Sequence, residues 1–301
     1  MMIANPRRIA LRSIALAGFF LAATVSKGSF AAPDSSSKPL IAGVDKKGKA
    51  EFIIKQPNVV FPESLSGNEE ESLAYIEKFS NNRRDYIIRT YNRGKKFFPK
   101  VTDIFSKYRI PEELKVLMAL ESAFNGNAVS RAGAVGYWQI MDEVAREYGM
   151  KYVSQEQIAA AKKAAVAKKG KKGKVSAKSK VLLARDDRKN FLRSTSAAAR
   201  YLRDRSRNLD NDLLLMVASY NCGVGNVWNA MEKSGLSNPD FWDIKDYLPS
   251  ETRAYVMNFI TLNVIFHNYD GFLNNSLTFS PVKVKADEAG KEAMTAPAKT
   301  L

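Results

Sequence analysis

An all-α domain is the fold class this sequence predicts, and three observations carry it. Apolar residues recur at helical spacing through most of the chain, and alternating strand patterns are scarce. About 230 residues remain once the two ends are set aside, enough for one sizeable core.

The chain begins with Arg7, Arg8 and Arg12 ahead of an apolar run from Ile14 to Val25, and Ser29-Phe30-Ala31 offers small-x-small residues for cleavage before Ala32. The run is too short for a bilayer span, so residues 1–31 read as an export signal. No cysteine lies beside the cleavage point, and a lipid anchor is not expected. The mature chain is expected outside the inner membrane, periplasmic or secreted and soluble, with no transmembrane segment. Residues 32–68 read as an extended segment with room for one short strand between Glu51 and Val60. The domain proper is expected over 69–275, acting as a monomer.

Within it, Leu73, Ile76 and Phe79, then Ile87 and Tyr91, then Phe97, Val101, Ile104, Phe105 and Tyr108 keep helical spacing. Pro111 suits a first helical position, and Glu112 and Glu113 favour the positive end of a helix. Leu114, Leu117, Met118 and Glu121 follow at i, i+3, i+4 and i+7, so Glu121 shares an apolar face. Ser130 to Gly136 is a turn-forming stretch of small residues. Tyr137, Trp138 and Gln139 then read as the opening of a second helix, running to Tyr148 and stopped by Gly149. Further helices are expected at Leu213–Ala218 and along Tyr255, Phe259, Leu262 and Phe266. Residues 276–301, small, charged and holding Pro281 and Pro297, are expected to lack structure.

The net charge of +16 becomes informative once located. Removing Arg7, Arg8, Arg12 and Lys27 with the export signal leaves +12, and ten lysines against Glu156 between Lys151 and Ala184 carry +9 of it. These Ala-Lys-Gly repeats, about residues 154–184, lack the aromatic interleaving of a nucleic-acid site. No nucleic-acid partner is expected; a solvated basic loop drawn to anionic wall components fits better. One histidine, His267, and one cysteine, Cys222, leave no set for a metal site, an intramolecular disulfide or a His-dependent hydrolase, and no cofactor is expected. Cys222 reads as a small apolar filler and His267 as a helix-end residue.

Glu121 carries the chemistry. A carboxylate on a buried face has its charged form disfavoured, which is what a general acid near neutral pH requires. An ion-paired helix-end glutamate is the alternative that this helix alone leaves open. Downstream, aromatic rings and side-chain amides beside a glycine-rich turn suit sugar rings, which present both apolar faces and hydroxyls.

Five ordered blocks over about Arg109 to Phe266 make the pattern specific. They are Glu121-Ser122-Ala123-Phe124; Ser130 to Gln139; Ser194-Thr195 with Ala197-Ala198 and Tyr201-Leu202; Ala218 to Gly225; and Leu248-Pro249 with Glu251-Thr252-Arg253 and Tyr255-Val256. On these the chain resembles the soluble lytic transglycosylases of the goose-type-lysozyme-like superfamily, most of all the membrane-bound lytic murein transglycosylase D subgroup. The resemblance implies an all-α, lysozyme-like domain interrupted by the lysine-rich insertion. It implies a peptidoglycan substrate and cleavage of the β-1,4 bond between N-acetylmuramyl and N-acetylglucosaminyl units by one glutamate.

Glu121 would then be the acid/base. Ser130, Gln139, Tyr220, Asn221 and Glu251 would contact or order the glycan, with Tyr220 also reaching Glu121. Each has a plainer reading: Ser130 a turn hydroxyl, Gln139 an exposed amide, Tyr220 a core tyrosine, Asn221 a turn cap, Glu251 a first-turn helix acid. Two positions depart from the pattern. Asp142 lies close to where hydrolytic goose-type lysozymes carry a second acid, so a water-activating muramidase is the alternative function. Asn190 stands where an acid is expected.

Overall fold

The computed structural model describes residues 40–44, 50–154, 156–157, 160 and 186–285. The segment expected to be an export signal and nearly all of the expected lysine-rich insertion lie outside the described residues, as does the tail beyond Lys285. The chain divides into two compact units, one holding residues 85–259 and the other holding the flanks up to Arg84 and from Ile260 onward. No helix among the described residues is long and apolar enough to cross a membrane.

The flanking unit contains the only strands described. β1 (Leu40–Val44), β2 (Ala50–Lys55) and β3 (Val282–Lys285) form an antiparallel sheet in the order β1-β2-β3. The register runs Ile53 to Ile41 on one side and Ile53 to Val284 on the other. The expectation of an unstructured stretch from Ser276 is therefore corrected at Val282-Lys283-Val284-Lys285, whose two-residue alternation finds a partner edge in β2. Beyond the sheet, Asn58 and Thr278 bond each other through backbone and side chain at 3.1 and 2.8 Å. Asn268 clamps both backbone groups of Val60. Arg84 caps the carbonyls of Phe272 and Leu273 and lies over the Phe272 ring. Helix α1 (Glu70–Asn82) buries Ile76 here, with glutamates in its first turn.

The larger unit is helical, as its periodicity predicts. α2 (Arg84–Gly94) and α3 (Phe98–Tyr108) bury Ile87, Val101 and Phe105, and Arg109 closes α3 in the left-handed conformation. The helix expected from Pro111 to Glu121 is two pieces. Pro111 caps a 3-10 turn (Glu112–Val116) that passes directly into α4 (Leu117–Ser122), a common way for a helix to begin. Leu114, Leu117 and Met118 are fully buried, which is the face the spacing assigns.

The second expected helix also needs correction. Tyr137 to Ile140 form no helix: Val135 bridges back to Val129 and forward to Ile140, and Gln139 takes a φ of 47°. α5 begins only at Asp142 and ends at Glu147, with Gly149 in the left-handed region just beyond. α6 (Phe191–Asn208), α7 (Leu213–Cys222), α8 (Val224–Ser234), α9 (Phe241–Ile244) and α10 (Ser250–His267) follow, then α11 (Tyr269–Leu273). Asn190 caps α6, its side chain accepting from the Arg193 amide, so this departure from the family pattern serves as a helix start. Cys222 is buried and His267 is the last residue of α10.

One buried cation organises the middle of this unit. Arg188 is wholly inaccessible, and all five of its N–H donors are matched. Nε and Nη2 fork onto Asp186 at 2.9 and 2.8 Å, Nη1 reaches Asp142 at 2.6 Å and the Ile140 carbonyl at 3.3 Å, and Nη2 also reaches the Val153 carbonyl at 2.9 Å. The backbone beside it is as tightly fitted. A Cβ at Gly136, whose φ is +84°, would lie 1.9 Å from the Arg188 carbonyl oxygen. Val153 and Lys151 pair with Asp186 and Asp187, so the chain entering the lysine-rich segment is tied to the chain leaving it.

Replacing Arg188 with leucine would leave Asp186 buried without its counter-charge. Urea unfolding should show a loss of about 3–5 kcal/mol, the range for breaking one side of a buried ion pair. A loss below about 1 kcal/mol would show that the cluster contributes little to holding the turn.

Candidate active site

Glu121 sits near the end of α4, where Ala123 (φ 47°) and Phe124 (φ 63°) turn the chain away in left-handed conformations. Ser122 fixes that corner: its hydroxyl donates to the Tyr137 carbonyl at 2.8 Å and accepts from the Asn125 amide at 3.1 Å. The carboxyl-bearing helix and the glycine-rich turn are thereby joined.

Glu121 as a residue is only partly exposed, and protein crowds its carboxyl group. Burial is the largest influence and pushes its pKa up from 4.5 to about 7. Against this, the Tyr255 hydroxyl donates to Oε1 at 2.5 Å and favours the charged form, and burial wins. At neutral pH the group is therefore divided between acid and carboxylate, able to give a proton and take one back.

Two tyrosines surround it. Tyr220, on α7, donates its hydroxyl to the Trp138 carbonyl at 2.7 Å. Its pKa is raised well above the usual value by burial first and then by the Glu121 charge, so the two groups are electrostatic neighbours although the Tyr220 proton is directed at the backbone. Tyr255, on α10, is raised likewise by burial and by Glu121. Both stay protonated and remain donors across the working pH range. Behind them Tyr201 meets the Tyr220 ring edge-on at 5.6 Å, with the Arg205 guanidinium 4.6 Å from the centre of its own ring.

The other expected site residues are placed as follows. Ser130 closes the glycine-rich turn, its Oγ accepting from the Ala134 amide at 3.0 Å. Gln139 donates its side-chain amide to the carbonyls of Gly136 at 2.9 Å and Ala128 at 3.4 Å, which fixes its orientation. Asn221 accepts from the buried Thr252 hydroxyl at 2.8 Å and so ties α7 to α10, the helix that carries Tyr255. Glu251 is exposed in the first turn of α10, one helical turn before Tyr255. Asp142 opens α5, its carboxylate engaged by Arg188. Among the described residues no group of three or more His, Cys, Asp or Glu could hold a metal ion.

Tyr255, which bonds the Glu121 carboxyl, is the residue of this cluster that residue-by-residue reading did not single out. Its signal was its place four residues after Glu251, on the same helical face in the fifth motif block. The side chain that touches the reactive carboxyl is the second of that pair.

Comparison with known proteins agrees with the motif blocks. Residues 102–167 and 164–240 match the Transglycosylase SLT domain family. The matched stretch contains Glu121, Ser130, Gln139, Tyr220 and Asn221; Glu251 and Tyr255 lie beyond it. Over 194 residues the chain is 29% identical to membrane-bound lytic murein transglycosylase D of Escherichia coli strain K12, which covers 64% of this chain and 36% of that protein. The same protein of Escherichia coli O6:H1 strain CFT073 matches to the same extent. The chain thus spans about a third of the length of these relatives. Among solved structures, the 70 kDa soluble lytic transglycosylase of Escherichia coli is 20% identical with a TM-score of 0.40, covering 71% of this chain and 33% of that one. An inactive mutant of lytic transglycosylase Slt from Pseudomonas aeruginosa is 19% identical with a TM-score of 0.37, covering 60% of this chain and 25% of that one.

Two outcomes follow from the balance at Glu121. Tyr255→Phe removes the bond that favours the carboxylate, so the basic limb of the activity profile should move to higher pH than in the wild type; an unmoved limb would deny Tyr255 its hold on the titrating group. Because the folded pKa lies above the unfolded one, the stability Glu121 contributes is complete below pH 4.5 and falls away as pH rises through about 7. Glu121→Gln, which carries no charge to bury, should therefore gain in Tm over the wild type between pH 5 and pH 8, as followed by calorimetry.

Proposed function

We propose that this chain, whose residues 102–240 carry a transglycosylase SLT domain, is an exported peptidoglycan lytic transglycosylase with Glu121 as its single acid/base. The observation that carries the proposal is the crowded Glu121 carboxyl, held by Tyr255 at 2.5 Å and titrating near 7. Ordinary glycosidases use two carboxylates that flank the bond. Here the second acid considered from sequence, Asp142, has its carboxylate committed to Arg188 at 2.6 Å, which supports a one-carboxylate route.

The steps balance without water. Protonated Glu121 gives its proton to the glycosidic oxygen between muramyl C1 and the next sugar, and the C1–O bond breaks with its electrons on the departing hydroxyl. Positive charge builds on the muramyl ring. The Glu121 carboxylate then takes the proton of the muramyl C6 hydroxyl, whose oxygen bonds to C1 and closes a 1,6-anhydro ring. Tyr255 steadies the carboxylate between the two transfers. Tyr220 shapes the same wall, and Gln139, oriented by its bonds to the turn, offers its amide oxygen to a sugar donor. Ser130 and Asn221 act mainly by keeping the turn and α7 in place. Glu251 remains a candidate contact at the rim.

The proposal extends to the ends and the insertion. Residues 1–31 direct export, and the mature chain works as a soluble monomer in the periplasm or outside the cell. The lysine-rich segment holds it near anionic wall polymer.

The test is digestion of purified sacculi in oxygen-18 water. Products should end in 1,6-anhydro-muramyl residues, resist borohydride reduction and carry no label. Labelled, reducible products would mean that water is the nucleophile and that the chain is a muramidase. Glu121→Gln should lower turnover by roughly a hundred- to ten-thousand-fold, the usual cost of losing a general acid/base.

A further inference from the structure

The stretch from Tyr86 to Thr102 carries Arg89, Arg93, Lys95, Lys96 and Lys100 and no acidic residue. It spans most of α2, the turn after it and the start of α3, and all five cations are exposed. Exposed like charges repel one another and the stretch supplies no acid of its own, so this surface gains by meeting an anion.

Where the cluster lies makes it specific. Lys96 stands over the Phe97 ring at 5.0 Å. Phe97 in turn stacks on Phe124 at 5.6 Å and meets Tyr137 at 5.5 Å and Phe191 at 5.1 Å. Phe124 is three residues past Glu121, and Tyr137 belongs to the glycine-rich turn. Gly126 makes the close seating possible, since a Cβ there would come within 2.6 Å of the Tyr137 ring. Phe97, Tyr137 and Phe191 each keep part of their surface open. A half-open aromatic ledge that shares Phe124 and Tyr137 with the Glu121 corner and the glycine-rich turn therefore carries Lys96 on its Phe97 ring, within a stretch of exposed cations.

We propose that this ledge and the cations of the α2–α3 junction bind the acidic peptide branch of the glycan substrate. The proposal rests on the peptidoglycan reading of the site. A peptidoglycan stem hangs from the lactyl group of the muramyl unit and carries free carboxylates beside short apolar side chains. The rings take the apolar part and the amide planes, and Arg93, Lys96 and Lys100 take the carboxylates. An anionic membrane surface would also suit cations with aromatics. The sharing of Phe124 and Tyr137 with the catalytic turn favours the substrate.

The experiment compares glycan strands bearing intact tetrapeptide stems with the same strands stripped of peptide by an amidase. It uses the full mature chain and its Arg93→Ala/Lys96→Ala/Lys100→Ala variant, at low and at high salt. In the wild type, intact strands should have the lower KM at low salt, and the preference should shrink as salt rises. The triple variant should lose roughly fivefold to tenfold of that preference, consistent with three exposed charges, with kcat on stripped strands unchanged. A preference kept in full by the variant overturns the proposal, as does an equal loss on both kinds of strand. So does loss of phosphatidylglycerol-vesicle binding with strand preference intact, which would make the ledge a membrane surface. If the wild type cleaves neither strand, the enzymatic reading fails by itself. Titration with free L-Ala-D-Glu-diaminopimelyl-D-Ala then still decides the ledge: a Kd at least fivefold weaker in the variant upholds it, and equal affinity overturns it.

Discussion

A guanidinium with no access to water sits between two carboxylates and two carbonyls, and the active-site turn is built around it. Arg188 costs much to bury, and the cost is met only because every N–H has an acceptor. Those acceptors come from three separate stretches: Ile140 and Asp142 after the glycine-rich turn, Val153 at the mouth of the insertion, and Asp186 at its return. The Arg188 carbonyl meanwhile leaves Gly136 no room for a side chain. Gln139 is then forced through a left-handed corner, and its amide is spent on Ala128 and Gly136. The shape of the glycine-rich turn is thus tied to a buried cluster of one guanidinium and two carboxylates.

Glu121 is governed by a different tension. Glu121 is crowded enough to resist ionising, yet it receives a short bond from Tyr255 that favours ionisation. The proposed role, donating and then recovering a proton, needs neither state to be strongly preferred. Thr252, one turn ahead of Val256 on α10, bonds Asn221 and keeps the Tyr255 helix against the helix of Tyr220. The hydrogen bond to the carboxyl is therefore held in place by a polar contact that is buried on the Thr252 side.

Much of this was legible in the chain, and the failures are instructive. Leu114, Leu117 and Met118 share a buried face because three- and four-residue spacing states it directly, and Glu121 inherits that environment. The helix expected from Tyr137 was misread because a residue other than glycine, Gln139, adopts a positive φ that only the surrounding packing can impose. Tyr255 went unnoticed as a carboxyl partner because 134 positions separate it from Glu121, and local pattern carries no trace of such a pairing. Arg188 was hidden differently: in a chain this rich in basic residues, nothing marks one that is wholly inaccessible. Val282–Lys285 did show its two-residue alternation, but a strand so short has meaning only beside the edge that receives it.

The stitching of Lys151 and Val153 to Asp186 and Asp187 has a consequence for how such an enzyme can change over time. Between ends fastened in this way, each doubling of a flexible connection costs only roughly 0.6 kcal/mol of loop closure. The contacts of Lys151 and Val153 with Asp186 and Asp187 therefore hold the Arg188 cluster together from outside the connecting segment. A lineage can try new lysines there, or discard them, while Arg188 keeps the chemistry out of reach of the experiment.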